Sequence, residues 1–192
     1  MNRRLSEAEF VSLLEAQPVI AAVKHMDALH QAIESDVAVV FVLFGDILTI
    51  PEIVAELKEA GKAVIAHIDL IEGFSNRDVS VRFMAERTQV DGILSTRTNL
   101  IREAHQRGLI SVQRLFLLDS LALDNIKKQG MSSDATALEI LPGIMPRVIS
   151  EVASILQRPL IAGGLIRDDE DAVAALNAGA MAISTTKASL WS

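Results

Sequence analysis

The sequence predicts an α/β fold built on an eight-stranded parallel sheet, in one domain spanning residues 1–192, preceded by an N-terminal helix. Three observations carry this. Short apolar runs alternate with amphipathic helical patterns along nearly the whole chain. Several helical patterns end at glycine, in "EAGK", "QRGL", "KQGM" and "NAGA", where a helix commonly ends in a left-handed residue. No linker, repeat or low-complexity tract interrupts the 192 residues, a length that suits one domain. Closed, such a sheet is a (β/α)8 barrel; open, it is a doubly wound sheet.

The first helix starts at Ser6, with Glu9 three residues on in a capping-box pattern, and runs to about Ala16 before Pro18. The strands expected after it are Val19–Val23, Val37–Leu43, Ala63–Ile68, Gly92–Ser95, Leu109–Phe116, Ala137–Leu141, Leu160–Ala162 and Ala180–Ser184. Helices are expected near 27–34, 51–60, 78–88, 98–107, 119–129, 144–156 and 169–178. Pro51 sits near a helix start, where its missing N–H costs nothing.

Composition narrows the function classes. There is no cysteine, so disulfides, thiol nucleophiles and cysteine metal sites are excluded. The basic start "MNRR" is followed by no apolar stretch of signal-peptide kind. The longest apolar run, Val37–Phe44, is too short to span a bilayer. A soluble cytoplasmic protein is expected, with no membrane partner. The formal net charge is -7, which opposes nucleic acid binding unless positive charge is concentrated locally. Between Arg77 and Arg114, seven arginines stand against Asp78, Glu86, Asp91 and Glu103, a net of +3, leaving -10 for the rest of the chain. Such a stretch is either a set of solvated helix faces or a surface for an anionic partner.

Parity along the strands separates two faces. In a closed barrel the outer face packs on helices and the inner face holds polar groups near the C-terminal mouth. In "AVIAHID", Val64, Ala66 and Ile68 are assigned outward, His67 and Asp69 inward. Lys24 shares a face with Ile20 and Ala22, Gln113 pairs with Ser111, and Glu139 stands between Leu138 and Ile140. Lys24, His67, Asp69, Gln113 and Glu139 are thus expected to converge on one lumen. A buried Lys24–Glu139 pair would be the purely structural version of that arrangement. The pair Gly163–Gly164 closes the seventh strand, and "STTK" from Ser184 closes the eighth. Loops at these two positions form the usual phosphate site of (β/α)8 barrels. Glycine lets backbone N–H groups approach a phosphate, and the hydroxyls of Ser184 and Thr185 add donors. A phosphorylated small molecule is the expected ligand, although a glycine pair alone often marks only a turn.

The strings "HIDLIEG" (67–73), "ILSTRTN" (93–99), "QRLFLLDS" (113–120), "EILPGIMP" (139–146), "AGGLIR" (162–167) and "STTKASLW" (184–191) together resemble the glycerol-3-phosphate-responsive antiterminator family. The resemblance runs from about Pro18 to Trp191. It implies a TIM-barrel-like fold and a regulator that binds the leader mRNA of glycerol uptake and utilisation operons in response to glycerol 3-phosphate. On that reading Gly163, Gly164, Ser184 and Thr185 hold the phosphate, while Lys24, His67, Asp69 or Gln113 meet the glycerol hydroxyls. Arg77, Arg82, Arg97, Arg102, Arg107 and Arg114 offer the surface for RNA. No catalytic residue, metal or cofactor is expected beyond the ligand itself, and a homo-oligomer is left open. The rival class is a phosphate-binding barrel enzyme, an isomerase or a prenyltransferase. Lys24, His67, Asp69, Glu72 and Glu139 would then supply acid–base chemistry, with Asp69 and Glu72 on Mg²⁺. A metabolite sensor acting through a protein partner is a third reading.

Overall fold

A computed structural model describes residues 4–129 and 134–192. The eight expected strands are present as β1 (Val19–Val23), β2 (Val39–Val42), β3 (Ala63–His67), β4 (Gly92–Ser95), β5 (Ile110–Phe116), β6 (Ala137–Leu141), β7 (Leu160–Gly163) and β8 (Ala182–Thr185). All pair in parallel with their sequence neighbours, and β8 closes on β1 through Val19↔Ile183 and Ala21↔Thr185. The sheet is therefore the closed (β/α)8 barrel, not the doubly wound alternative. Helices α2 (Met26–Glu34), α3 (Ile50–Glu59), α4 (Asp78–Arg87), α5 (Thr98–Gln106), α6 (Ser120–Gln129), α7 (Pro146–Ile155) and α8 (Asp169–Asn177) follow β1 to β7, after an initial α1 (Glu7–Ala16). Gly61, Gly108 and Gly179 follow α3, α5 and α8 with positive φ, as the helix-stop pattern predicts. Gly130 of "KQGM" lies outside the described residues.

The core divides into a lumen and an outer shell. Ile20, Ala22, Val39, Phe41, Ala63, Ile65, Leu94, Ile110, Val112, Ala137, Ile161 and Ala182 pack together inside the strands. The alternate residues, among them Val64 and Ala66 of β3 and Leu138 and Ile140 of β6, pack on the helices. The parity assigned to β3 and β6 from the sequence is correct. That assigned to β5 is not. Ile110 and Val112 fill the lumen, so Ser111 and Gln113 stand on the helix side and Arg114 turns inward. Ser111 is satisfied there by the Asp134 carbonyl at 2.7 Å, so a polar strand residue did not mean a lumen residue. Gln113 is 5 % exposed, and its place on the outer face removes it from the ligand set.

Helix α1 closes the N-terminal end of the lumen. Its capping box is formed as Ser6 and Glu9 predict, and its buried side chains Phe10 and Leu14 join the lumen cluster. Arg4 just before it donates to the carbonyls of Arg107 and Ala85, both at 2.7 Å. Glu7 accepts from the Thr136 hydroxyl at 2.9 Å. These contacts fasten the plug to the ends of α4 and α5 and to the start of β6. Phe10→Ala removes the largest side chain of the plug, and a buried Phe→Ala change costs about 3–5 kcal/mol. Urea unfolding of this variant should show a loss of that size.

Candidate functional site

A cavity of about 320 Å³ opens at the C-terminal end of the barrel. Its wall is made by Lys24 just beyond β1, Leu43 beyond β2, Arg114 of β5, Leu141 of β6, the segment Gly164–Arg167 after β7, and Ser184–Lys187 at the end of β8. The floor is a buried ionic network. The Arg114 guanidinium donates from Nε to Glu139 Oε2 at 2.5 Å, and the Ser184 hydroxyl donates to Glu139 Oε1 at 2.6 Å. Glu139 is 0 % exposed and Arg114 8 %. Glu139 is therefore held by Arg114, not by Lys24. Arg114 is also lost to any RNA surface, because it is buried in the lumen.

The two glycines have different causes. A Cβ on Gly163 would lie 2.6 Å from both Glu139 Oε1 and Ser184 Oγ. The residue is glycine so that this carboxylate and hydroxyl can meet. Gly164 has φ +75° and is followed by Leu165 at φ 63°, two consecutive left-handed residues that turn the chain across the cavity. The Gly164 carbonyl accepts from Gly143 N at 3.0 Å, which ties this loop to the one after β6. The Thr185 hydroxyl donates to the Ile166 carbonyl at 3.0 Å and accepts from Lys187 N at 3.1 Å. Ser184 and Thr185 thus shape the cavity wall, with their hydroxyls already engaged.

Positive charge faces the cavity from three sides. Lys24, Arg167 and Lys187 line it, and none has an ion-pair partner among the described residues. Lys24 was expected here. Arg167 and Lys187 were not assigned to the ligand, although each is the last residue of a string already singled out, "AGGLIR" and "STTK". Helix α8 adds no anion site, because Asp168 caps it and Asp169, Glu170 and Asp171 fill its first turn. Those carboxylates already neutralise the helix dipole.

His67 and Asp69 stand at the end of β3 and do not line the cavity. Asp69 organises the β4–α5 loop: Oδ1 accepts from the Ser95 hydroxyl at 2.8 Å, and Oδ2 from Thr96 N at 2.8 Å and Thr96 Oγ1 at 3.0 Å. His67 is 3 % exposed, and its Nδ1 has no hydrogen-bond partner among the described residues. Asp69 Oδ2 lies 4.0 Å from that nitrogen. Burial, and then the charge of Arg114, push the imidazole down to about 4. It is neutral at pH 7.

The arginine-rich stretch does not form one patch. Arg77 and Arg97 precede α4 and α5 at the mouth end, whereas Arg107 follows α5 at the plugged end, beside Arg4. Arg97 lies 3.7 Å from Asp69, Arg102 3.6 Å from Asp134, and Arg107 2.5 Å from Glu103 and 3.6 Å from Glu86. Arg77 and Arg82 are exposed, with no ion pair among the described residues.

This is a (β/α)8 barrel whose C-terminal mouth concentrates cations around a small cavity. The chain matches the family described as glycerol-3-phosphate responsive antiterminator over residues 19–191 and belongs to it. It is 45 % identical over 179 residues to the Escherichia coli K12 protein YgcP, covering 93 % of this chain and 94 % of that one. The crystal structure of the glycerol uptake operon antiterminator regulatory protein from Listeria monocytogenes superposes with a TM-score of 0.86 at 31 % identity, over 91 % of this chain and 95 % of that one. A glycerol uptake operon antiterminator-related protein from Thermotoga maritima superposes with a TM-score of 0.78, also at 31 % identity, over 90 % and 96 % of the two chains. No helix among the described residues is long and apolar enough to cross a membrane.

The environment of His67 sets a pH dependence. Unfolded, the imidazole takes a proton near pH 6.5; folded, it does so only near pH 4. Its contribution to stability is complete above pH 6.5 and is lost as pH falls toward 4, because there the unfolded chain binds the extra proton. His67→Gln removes this slope. Urea midpoints at pH 7 and pH 4.5 should show the variant losing less stability between them than the wild type.

Proposed function

We propose that this chain is a cytoplasmic regulator that senses glycerol 3-phosphate and, in response, binds the leader mRNA of a glycerol uptake or utilisation operon to prevent premature termination. The observation that carries the reading is the convergence of Lys24, Arg167 and Lys187, without ion-pair partners among the described residues, on one small cavity of a family member. Three cations around a cavity this size suit a doubly charged phosphate ester, and the backbone of the turn at Gly164 passes close by. The apolar wall of Leu43, Leu141 and Ile166 leaves little room for a large sugar.

A regulator is favoured over an enzyme by what the candidate acid–base groups are doing. Glu139 is locked between Arg114 and Ser184, Asp69 is committed to the loop after β4, and His67 lies off the cavity wall. Lys24 remains for charge recognition. For the RNA, Arg77 and Arg82 are the better candidates within the arginine stretch. Arg97, Arg102 and Arg107 already face carboxylates, which would have to be displaced.

Two measurements test this. Thermal melts should show glycerol 3-phosphate raising stability by about 2.7 kcal/mol at a hundredfold excess over its dissociation constant, with glycerol far less effective. Lys24→Ala combined with Lys187→Ala should abolish the shift. Equal shifts from glycerol and its phosphate would refute the anion site. For RNA, filter binding of a glycerol-operon leader across a salt series should give a slope reduced by about 1.4 in Arg77→Ala/Arg82→Ala, since each phosphate contact to a single strand contributes roughly 0.7. An unchanged affinity and slope would move the RNA contacts elsewhere.

A further inference from the structure

Large apolar side chains are exposed mainly at the mouth of this barrel. Nine of the eleven exposed ones among the described residues lie at a strand end, in a strand-to-helix loop or in the first turn of the helix that follows; Ile155 and Val173 are the others. Five of the nine form an arc over three neighbouring connections: Phe116 at the end of β5, Leu118 beyond it and Leu121 in the first turn of α6, Ile144 after β6, and Leu165 after β7. The loops are joined by hydrogen bonds from Leu117 N to the Leu141 carbonyl at 2.8 Å and from Gly143 N to the Gly164 carbonyl at 3.0 Å. Phe116 is the register partner of Leu141, which lines the cavity.

Leu165 connects this arc to the cation-lined cavity. It is on the cavity wall, yet it is 53 % exposed. Its φ of 63° is a conformation that a leucine adopts only at a cost in strain. Glycine or asparagine would suit that backbone better. A leucine held there under strain and open to water indicates a use for its apolar surface in contact with something bound at the cavity. Exposed apolar side chains gathered at one end of the barrel beside a cavity mark an interaction site.

Resting on the anion site proposed above, we infer that the mouth accommodates an amphiphile: a glycerol phosphate carrying one short alkyl or acyl chain, its phosphate among Lys24, Arg167 and Lys187 and its tail along Leu165, Ile144 and Leu118. The head is the same as in glycerol 3-phosphate; the tail uses surface that the small ligand leaves in water. Such a ligand binds as a dispersed monomer, since a membrane would have to bring its headgroup down into a lumen-mouth cavity.

Isothermal titration with glycerol 3-phosphate and its 1-O-butyl, hexyl and octyl ethers, each below its micelle concentration, tests this. Affinity should climb with chain length, by up to about fourfold for each fully buried methylene. Leu118→Ser/Ile144→Ser changes two exposed side chains outside the cavity, so it should fold and keep wild-type affinity for glycerol 3-phosphate while losing most of the chain-length gain. A flat series with glycerol 3-phosphate still binding overturns the tail site and leaves the sensor reading standing. Failure of every compound to bind removes both. Binding to vesicles bearing the lipid but not to monomers, or dissociation of a dimer by the same double substitution, would instead make the arc a membrane or self-association surface and overturn the inference.

Discussion

Glu139 sits in the lumen with no exposure to water, where Arg114 and the Ser184 hydroxyl are its hydrogen-bond partners among the described residues. Breaking a buried ion pair by removing one partner typically costs about 3–5 kcal/mol, because the other charge is left without compensation. The pair draws β5, β6 and β8 together at one level of the barrel. Below it the lumen is filled by aliphatic side chains; above it the cavity begins. The network is thus the boundary between the part of the barrel that supplies stability and the part that faces solvent.

That boundary dictates its surroundings. Because the carboxylate and hydroxyl occupy the place where a Cβ would be, β7 must end in Gly163. The chain leaves the strand through two left-handed residues, and the resulting loop is braced by Gly143 from one side and Thr185 from the other. Bracing on both sides lets Leu165 stay in a strained conformation, since strain persists only where neighbouring contacts over-determine the backbone. His67 stays neutral chiefly because it is buried, and the charge of Arg114 adds to that. One carboxylate placed in the lumen therefore fixes a glycine and a loop course.

Strand and helix positions were legible because periodicity follows directly from which face is buried, and eight units in regular alternation leave little freedom in assignment. The outward parity of Val64 and Ala66 was legible for the same reason. "ISVQRLF" in β5 was not, because both of its faces carry polar residues and alternation alone gives no sign of which is inside; all three of Ser111, Gln113 and Arg114 are buried, and the arginine, counterintuitively, is the one that faces the lumen. Gly163 and Gly164 were correctly placed at a strand end, but a sequence cannot separate a glycine that makes room for a carboxylate from one that makes room for a ligand. Nor does nearness in sequence imply a surface patch. Arg77 to Arg107 run down one side of the barrel and up again, so that residues ten apart, such as Arg97 and Arg107, stand at opposite ends, and Arg97, Arg102 and Arg107 each meet a carboxylate on the way.

The two ends of the barrel divide its duties. At the N-terminal end α1 seals the lumen with Phe10 and Leu14, and charges there are paired: Lys58 with Asp91, Arg107 with Glu103 and Glu86. At the C-terminal end Lys24, Arg167 and Lys187 crowd around an open cavity in a chain whose formal charge is -7. A cleft lined by one sign of charge and walled by low-dielectric side chains focuses its field outward and raises the local concentration of oppositely charged ligands. The acidic remainder of the surface repels the same anions. The contrast between mouth and surroundings, more than the number of cations, directs a small anion to this end of the barrel and discourages polyanions from binding indiscriminately elsewhere on it.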